Sequence, residues 1–214
     1  MPTGSSAASR REQRRLQHQD LSRGQLLDAA EEIFGRKGFH ETTLKEVAEL
    51  AEFSVGSVYS FFDSKDDLFR AIFVRRGEEF MVGIRSLLGD TATSPLAQLH
   101  ALVEFEVVWF RTNARFGRLY LRYSSAAMLS TDREADAVIA DNYEESMRLQ
   151  AELFERGQRD GVFRAGEPRV LARLFSGIVS SYQALDPAVV DDDPERERLP
   201  LTDLHALVEA AFVR

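Results

Sequence analysis

The sequence predicts an all-α protein of about nine helices. Apolar residues recur at helical spacing in successive segments of the 214-residue chain, and no strand-like alternation or internal repeat competes with that pattern. Glycine and proline separate the segments, where they favour helix ends and turns. Because 44% of the residues are hydrophobic, a chain of this length can bury a substantial core, which excludes disorder of the whole chain.

The composition indicates in which cellular compartment the protein is expected. The chain has no cysteine, which excludes a disulfide framework, a thiol nucleophile and a thiolate metal site, and suits a reducing compartment. The N-terminal stretch MPTGSSAASRREQRRLQHQD lacks the apolar segment of a secretion signal, and no run of about 18 apolar residues occurs. We therefore expect a cytoplasmic protein with no membrane partner.

The net charge of −8 is distributed unevenly. Residues 1–76 contain twelve Lys or Arg and twelve Asp or Glu, whereas residues 77–214 contain fifteen and twenty-three. Residues 1–21 are predicted to form a basic flexible arm. The positive charges up to residue 23 outnumber the negative ones. The basic residues are Arg10, Arg11, Arg14, Arg15 and Arg23, and the acidic residues are Glu12 and Asp20. Such an arm is either a solvated tail or a contact to nucleic acid.

Three short helices are predicted after the arm. The first runs from Ser22 along an apolar stripe and ends before Gly38, which suits a left-handed cap. The second begins with Thr43 and Glu46 at the spacing of a capping box. Ser54 can cap the third. Helices this short bury little surface unless they pack crosswise, as in a helix-turn-helix, whose last helix projects outward.

The third helix has two contrasting sides. Val58, Phe61 and Phe62 are predicted to face inward. The other residues are small or able to approach and hydrogen-bond a ligand: Val55, Gly56, Ser57, Tyr59 and Ser60. Lys65 follows in the first turn of a fourth helix, where an ammonium and free backbone N–H groups can share one phosphate.

Residues 22–70 resemble the N-terminal domain of the TetR family of bacterial transcriptional regulators. The resemblance rests on LLDAAEEIFGRKGFHETTLKEVAELA, SVGSVYSFF and SKDDLF, in the family's order and spacing, and covers roughly a quarter of the chain. It implies a DNA-binding domain over residues 22–68 with residues 55–62 as recognition helix. Two positions depart from the family's common pattern: Glu52 stands where the turn often has glycine, and Ser60 where histidine is frequent.

The resemblance also implies roles for individual residues on a double-stranded DNA operator. Thr43, Ser57, Tyr59 and Lys65 would contact the DNA backbone. Val55, Gly56 and Ser60 would face base edges or the groove. The arm would add nonspecific attraction, with Arg14, Arg15 and Arg23 as its candidate contacts.

Residues 69–214 are predicted to form an effector-binding and dimerisation domain. The fourth helix continues to about residue 88, and further helices are predicted over residues 95–112, 113–129, 133–160, 168–185 and 201–213. The family resemblance implies that the last two long helices form a homodimer interface. The acidic, proline-bearing link over residues 186–200 is predicted to be a solvated loop.

Glu106 lies within the apolar arc of the helix over residues 95–112. An unpaired buried charge is costly, so Glu106 either pairs with Arg115, Arg118 or Arg122, lies at an exposed edge, or lines an effector pocket that favours a cationic or hydrogen-bond-donating ligand. Further pocket candidates are Trp109, Phe110, Tyr120, Tyr123, Asn142, Ser146 and Gln150. For Tyr120 and Tyr123 the alternative is an ordinary core position, and for Asn142, Ser146 and Gln150 it is a half-exposed helix face.

The sequence and the resemblance together predict a homodimeric, ligand-responsive DNA-binding regulator, most simply a repressor released from its operator by a small-molecule effector. An alternative is a regulator whose body recruits a protein partner without a small effector. Enzymatic function is not expected, because the four histidines lack metal-ligand spacing and no P-loop or serine-nucleophile motif occurs. No catalytic residue, metal or cofactor is predicted.

Overall fold

A computed structural model describes residues 4–127, 133–191 and 198–214 of the chain. The described residues form ten helices: α1 Gly4–Lys37, α2 Leu44–Leu50, α3 Val55–Tyr59, α4 Lys65–Gly89, α5 Pro95–Thr112, α6 Ala114–Ala127, α7 Arg133–Arg159, α8 Pro168–Leu185, α9 Pro187–Val190 and α10 Leu201–Phe212. Phe163 and Val213 add one isolated antiparallel bridge. The predicted all-α class is therefore confirmed.

The chain divides into two compact units, one up to Ile72 and one from Phe73 onward. The helix α4 contributes residues to both units. Over the described ranges, no helix combines the length and the apolar character that crossing a membrane requires.

The core of the N-terminal unit comes from the apolar stripes of α1 to α4. The buried side chains include Leu26, Leu27, Ala30, Ile33, Phe34, Val47, Ala48, Val58, Phe62, Leu68 and Ile72. The predicted turns are also present. Gly38 has a φ of 85°, and Thr43 and Glu46 form the reciprocal capping box at the start of α2. The Ser54 hydroxyl accepts a hydrogen bond from the Ser57 amide at 3.0 Å and so caps α3.

Two helix ends of the N-terminal unit differ from the prediction. The helix α1 begins at Gly4 instead of near Ser22, so the segment predicted to be a flexible arm is helical from that residue. Its sequence contains many good helix formers, and Arg15 pairs with Glu12 one turn earlier at 2.6 Å. The helix α3 ends at Tyr59 and not at residue 62, because Ser60 is its C-cap and donates its hydroxyl to the Ser57 carbonyl at 2.6 Å.

In the C-terminal unit, α5 contributes many buried residues to a core shared with α4, α7, α8 and α10. The core residues are Met81, Ile84, Leu88, Leu99, Leu102, Val103, Val107, Leu153, Phe154, Phe163, Ala172, Phe175, Val179, Leu204, Val208 and Phe212. The bounds of α5 and α8 match the prediction, and α7 and α10 end one residue earlier than predicted. The predicted end of the sixth helix, at residue 129, lies outside the described residues.

The link after α8 corrects the prediction of a solvated loop. Residues Pro187–Val190 form α9, and Val189 is buried. Asp186 is fully buried because its carboxylate pairs with the Arg111 guanidinium at 2.6 Å. The sequence did not reveal this pair, since Asp186 cannot be distinguished from the other acidic residues of the link by sequence alone. Residues 192–197 of the same link lie outside the described residues.

Candidate DNA-binding surface and ligand cavity

The helix α3 presents a mixed surface of small and aromatic side chains. Val58 is buried on its inner side, whereas Tyr59 is 56% exposed and Val55 is 36% exposed. Phe62 is buried as predicted, but Phe61 is only half-buried. The exposed group of α3 and its C-cap is therefore Val55, Gly56, Tyr59 and Ser60.

Hydroxyl groups on α3 are already engaged within the helix. The Ser57 and Ser54 hydroxyls are 2.8 Å apart, and the Ser60 hydroxyl donates to the Ser57 carbonyl. Each hydroxyl oxygen still has acceptor capacity, and rotation can redirect its proton. Gly56 leaves open space, because an added methyl group would meet its nearest atom, Ser54 Oγ, at an ordinary 3.7 Å. Packing within the protein therefore does not require glycine at this position.

Glu52 occupies the turn before α3 in a left-handed conformation. Its φ is 60°, which makes it the one non-glycine residue with positive φ among the residues that the structure describes. This conformation costs an L-residue roughly 1 to 2 kcal/mol relative to glycine. Glu52, which stands where the family often has glycine, thus keeps the left-handed turn and places a carboxylate at an exposed, strained position.

Lys65 has an internal role that the sequence did not predict. Its ammonium donates to the carbonyl oxygen of Phe39 at 2.9 Å and to that of Thr42 at 3.1 Å. The same ammonium lies 4.4 Å from the centre of the Phe39 ring. Two of its three N–H donors are therefore used within the unit, and one is left for an external acceptor.

The other DNA-binding candidates lie at exposed positions. Thr43 exchanges hydrogen bonds with Glu46 as the cap of α2, and the Lys37 ammonium is the main group that lowers the pKa of Glu46. The Arg23 guanidinium lies 5.0 Å from the centre of the Phe62 ring. Arg15 is paired with Glu12, and the Arg14 Nε donates to the Arg10 carbonyl at 3.3 Å.

A cavity of about 710 Å³ lies in the C-terminal unit. Residues of α4, α5, α6, α7 and α8 line it: Phe73, Arg76, Gly77, Phe80, Met81, Glu106, Trp109, Phe110, Phe116, Tyr120, Ile139, Ala140, Asn142, Tyr143, Glu144, Ser146, Met147, Gln150, Arg173, Ser176, Gly177, Ser180 and Gln183. This volume is typical of sites that hold small molecules. Buried Met81 and Phe110 mark its inner part, and the exposed Glu144, Arg173 and Gly177 mark its opening.

Glu106 is the buried acid of this cavity. Its side chain is only 7% exposed, and burial alone raises its pKa to about 8. Of the arginines that the sequence offered as partners, Arg118 instead donates to the carbonyls of Val189 and Asp191. Over the residues that the structure describes, no cation pairs with the Glu106 carboxyl. The ion-pair alternative is therefore wrong, and the carboxyl lines the cavity.

Aromatic rings cover much of the cavity wall. The ring centres of Phe80 and Trp109 are 5.1 Å apart, and those of Phe110 and Tyr120 are 5.3 Å apart. Burial, followed by the charges of Glu106 and Tyr143, raises the pKa of the Tyr120 hydroxyl. Glu106 and Tyr120 are therefore close enough to interact electrostatically, although they belong to different helices.

Neutral polar groups form a short chain on another wall. The Ser176 hydroxyl donates to Gln150 Oε1 at 3.1 Å, and Gln150 Nε2 donates to the Ser146 hydroxyl at 3.0 Å. The Asn142 amide nitrogen is buried without a hydrogen-bond partner. An unsatisfied donor on the wall of a cavity can be satisfied by a ligand that carries an acceptor.

Seven of the eight effector-site candidates line the cavity: Glu106, Trp109, Phe110, Tyr120, Asn142, Ser146 and Gln150. Tyr123 does not line it. The contributions of α4 and α8 to the cavity are not predicted from the sequence. Phe80 and Met81 belong to the continuous apolar stripe of α4, and Ser176 and Ser180 are small residues of the kind that lets helices approach closely. Neither pattern distinguishes a cavity wall from packed core.

Comparison with known proteins identifies a family whose profile matches the segment that contains the exposed helix α3. The family profile described as bacterial regulatory proteins, tetR family, matches residues 26–72, which include α2, α3 and the start of α4. The resemblance of this segment to the TetR family is confirmed. The chain's relatives are DNA-binding transcriptional regulators, and the expectation that it is not an enzyme is confirmed.

Curated relatives of this TetR-family regulator match over part of their length. The transcriptional repressor KstR2 of Mycolicibacterium smegmatis is 29% identical over 144 residues, which is 66% of this chain and 67% of KstR2. The regulator YfiR of Bacillus subtilis is 45% identical over 56 residues, 26% of this chain and 27% of YfiR. The chain thus spans about a quarter to two thirds of the length of these relatives.

Solved structures match this TetR-family regulator across both units. A transcriptional regulator from Saccharomonospora viridis in complex with choline has a TM-score of 0.73 and 18% identity, covering 91% of this chain and 99% of its own. AibR in complex with isovaleryl coenzyme A and operator DNA has a TM-score of 0.72 and 18% identity, covering 88% and 97%. At this identity the likeness establishes the fold.

Proposed function

We propose that this regulator is a homodimeric repressor that a small-molecule effector releases from its operator. The observation that carries the proposal is the cavity of about 710 Å³, walled by aromatic rings and a buried carboxyl, in a chain that also exposes the short helix α3. The effector would bind in the cavity, and α3 would enter the major groove of double-stranded DNA. As a regulator of bacterial genes, the protein would act in the cytoplasm.

The surface of α3 supports a close approach to DNA. Gly56 is exposed with open space around it, and glycine lowers helix stability, so an external partner gives a reason for its presence. Val55, Gly56 and Ser60 would face base edges or the groove. The proposed backbone contacts are Thr43, Ser57, Tyr59, the remaining donor of Lys65, and the arm residues Arg14, Arg15 and Arg23. Because these are phosphate contacts, operator affinity would fall steeply with salt.

The cavity supports effector control. The S. viridis neighbour was solved with choline, and AibR with isovaleryl coenzyme A and operator DNA, so proteins of this fold hold small molecules and DNA. KstR2 is named a repressor, and we propose the same direction of regulation, repression, for this protein. A different relative, FasR of M. smegmatis, is named an activator, so whether this protein represses or activates its target genes has to be measured directly.

Exposed apolar side chains on the last two long helices support a homodimer. Val170 and Leu174 of α8 are 51% and 56% exposed, and Leu207 of α10 is 54% exposed. A second copy would cover these side chains in a two-fold interface. Two recognition helices would then read half-sites one helical turn of DNA, or a multiple, apart.

Control would work by a shift of populations. The ligand-free dimer would populate a spacing of the two recognition helices that fits the operator. An effector that binds better to another spacing would move the equilibrium toward it and lower operator affinity by the same coupling free energy.

The test begins with selection of bound sequences from a random DNA library. Gel-shift titrations on the selected operator would then be repeated with candidate small molecules. We expect at least one cavity ligand to lower operator affinity about tenfold or more, a coupling of about 1.4 kcal/mol. Ligands that saturate the cavity without changing operator affinity would contradict effector release. That result would favour the alternative, a body that recruits a protein partner.

A further inference from the structure

We propose that the cavity recognises an organic cation that carries an apolar group, with the Glu106 carboxylate as its counter-ion. This inference rests on the proposed function, because it names the chemical class of the effector. The ligand class is an ammonium joined to an aliphatic or aromatic body that fills the rest of the cavity.

Glu106 is a buried acid without a counter-ion among the residues that the structure describes. Glu106 is 7% exposed and lines the cavity, and within the described part of the chain nothing supplies it with a cation. A carboxyl at such a position costs stability and contributes nothing to packing that leucine or glutamine would not. A ligand cation would supply the missing partner and gain a charge-assisted hydrogen bond away from water.

Aromatic side chains line the cavity next to that acid. Trp109 and Phe110 follow Glu106 by three and four residues on α5, so all three side chains lie on one face of the helix. Phe80 contacts Trp109, and Tyr120 lies within the electrostatic range of Glu106. Aromatic faces attract an alkylammonium and pack against its apolar body, so they suit a cation better than they suit an anion.

The other charged groups on the cavity wall are paired or lie at exposed positions. Arg76 donates to Glu79 at 2.7 Å, and Glu144 pairs with Arg169. Arg173 is exposed at the opening. The remaining titratable groups that face the cavity are Tyr120 and Tyr143. Arg76 is offset by Glu79 and Glu144 by Arg169, so Glu106 is the acid of this wall whose charge no base offsets, and an anionic group placed beside it would meet a like charge whenever Glu106 is ionised.

Binding of a cation would be coupled to loss of a proton. Burial raises the pKa of Glu106 to about 8, so without a bound cation its carboxyl is mostly neutral near neutral pH. A bound cation favours the carboxylate, and the proton leaves to solvent. The affinity for a permanently charged cation should therefore rise with pH by up to about tenfold per unit until the pH reaches the pKa.

The experiment compares three ligands with one skeleton and different charges: phenylbutylammonium, phenylbutanol and phenylbutanoate. Trp109 is the single tryptophan of the chain and lines the cavity, so its fluorescence reports binding directly. We expect the cation to bind at least about tenfold more tightly than the alcohol, and the anion most weakly. Equal or tighter binding of the alcohol or the anion would overturn the proposal.

The matched variants are Glu106→Gln and Glu104→Gln. Glu104 is exposed on the same helix and does not line the cavity, so its replacement removes the same charge from outside the site. Glu106→Gln should remove the preference for the cation and leave the alcohol affinity unchanged, whereas Glu104→Gln should keep the preference. A preference that survives Glu106→Gln would refute the role of Glu106.

Gel shifts with the same ligands separate this inference from the proposed function. A cation that binds through Glu106 without affecting operator binding would leave the ligand class standing and contradict effector release. An alcohol or anion that enters the cavity and releases the operator, while the cation does not bind, would support effector release and overturn the ligand class.

Discussion

The Lys65 ammonium stabilises the turn between α1 and α2, because it donates a hydrogen bond to the Phe39 carbonyl at 2.9 Å and lies 4.4 Å from the centre of the Phe39 ring. A lysine in the first turn of a helix is mildly disfavoured by the helix dipole. The two carbonyl acceptors offset that cost within the folded unit. Loss of DNA binding in a Lys65 variant would therefore combine a structural effect with the loss of one phosphate contact.

Lys65→Met should lower the free energy of unfolding by about 1 to 2 kcal/mol, because methionine keeps the apolar stem but loses two hydrogen bonds and the cation–π contact. Urea unfolding measures this change at a fixed protein concentration. Lys45→Met is the control, since Lys45 is exposed and makes only a 3.7 Å contact with Glu49. Equal stability of the two variants would contradict the structural role of Lys65.

Glu52→Gly should stabilise the N-terminal unit by about 1 kcal/mol, because glycine adopts the φ of 60° without the steric cost that glutamate carries. Thermal unfolding monitored by circular dichroism measures the shift. Glu49→Gly places glycine within α2 and should destabilise the protein by about 1 kcal/mol. A Glu52→Gly variant that is less stable than the parent would show that the left-handed turn is not strained.

Gly56→Ala should weaken operator binding while leaving stability unchanged or slightly raised, since the folded unit has room for the added methyl group. Gel-shift titration and urea unfolding of the same preparation provide the two readouts. Gly24→Ala adds a methyl group to open space on α1 and should leave operator affinity unchanged. Normal operator affinity of Gly56→Ala would remove the proposed close approach of this residue to DNA.

The sequence predicted much of the N-terminal unit because its signals are local. Thr43 and Glu46, Gly38 and Ser54 each define a helix end within a few residues, and the structure has all three features. The internal role of Lys65 depends on acceptors more than twenty residues away, at Phe39 and Thr42, which no local pattern encodes.

Local sequence patterns likewise predict only part of the cavity wall. Glu106 was recognisable because a charge interrupts an apolar arc, and Asn142, Ser146 and Gln150 because polar groups share one side of α7. Phe80 and Ser176 gave no such signal, since an aromatic or small residue at helical spacing looks the same in a packed core. Whether a helix faces core or empty volume is decided by the packing of all five surrounding helices.

Removal of one partner of the Arg111–Asp186 pair should strongly destabilise the C-terminal unit. Asp186→Ala leaves a largely buried guanidinium without its carboxylate and also removes the cap on the Ala188 amide, so we expect a loss of about 3 to 5 kcal/mol. Asp186→Asn keeps the capping oxygen and should lose less. The double variant Arg111→Met with Asp186→Asn should recover part of the loss. Equal stability of Asp186→Ala and the parent would exclude a structural role for the pair.

The pKa of Glu106 predicts how stability depends on pH. The folded-state pKa of about 8 lies above the ordinary value of 4.5, so the folded protein holds a proton that the unfolded chain releases. The stabilising effect of that proton is fully present below the ordinary pKa and is lost as the pH rises toward 8. Glu106→Gln stays neutral throughout, so its stability advantage over the parent should grow by up to about 1.4 kcal/mol per pH unit across this range.

Urea unfolding of the parent and of Glu106→Gln, between about pH 5 and about pH 8.5, measures this difference. Glu104→Gln, which removes an exposed acid from the same helix, should run parallel to the parent. Saturating cation should reduce the advantage of Glu106→Gln at high pH, because the ligand stabilises the ionised carboxyl of the parent alone. If the difference between Glu106→Gln and the parent does not change with pH, Glu106 is ionised in the folded protein and its burial has been compensated by a partner.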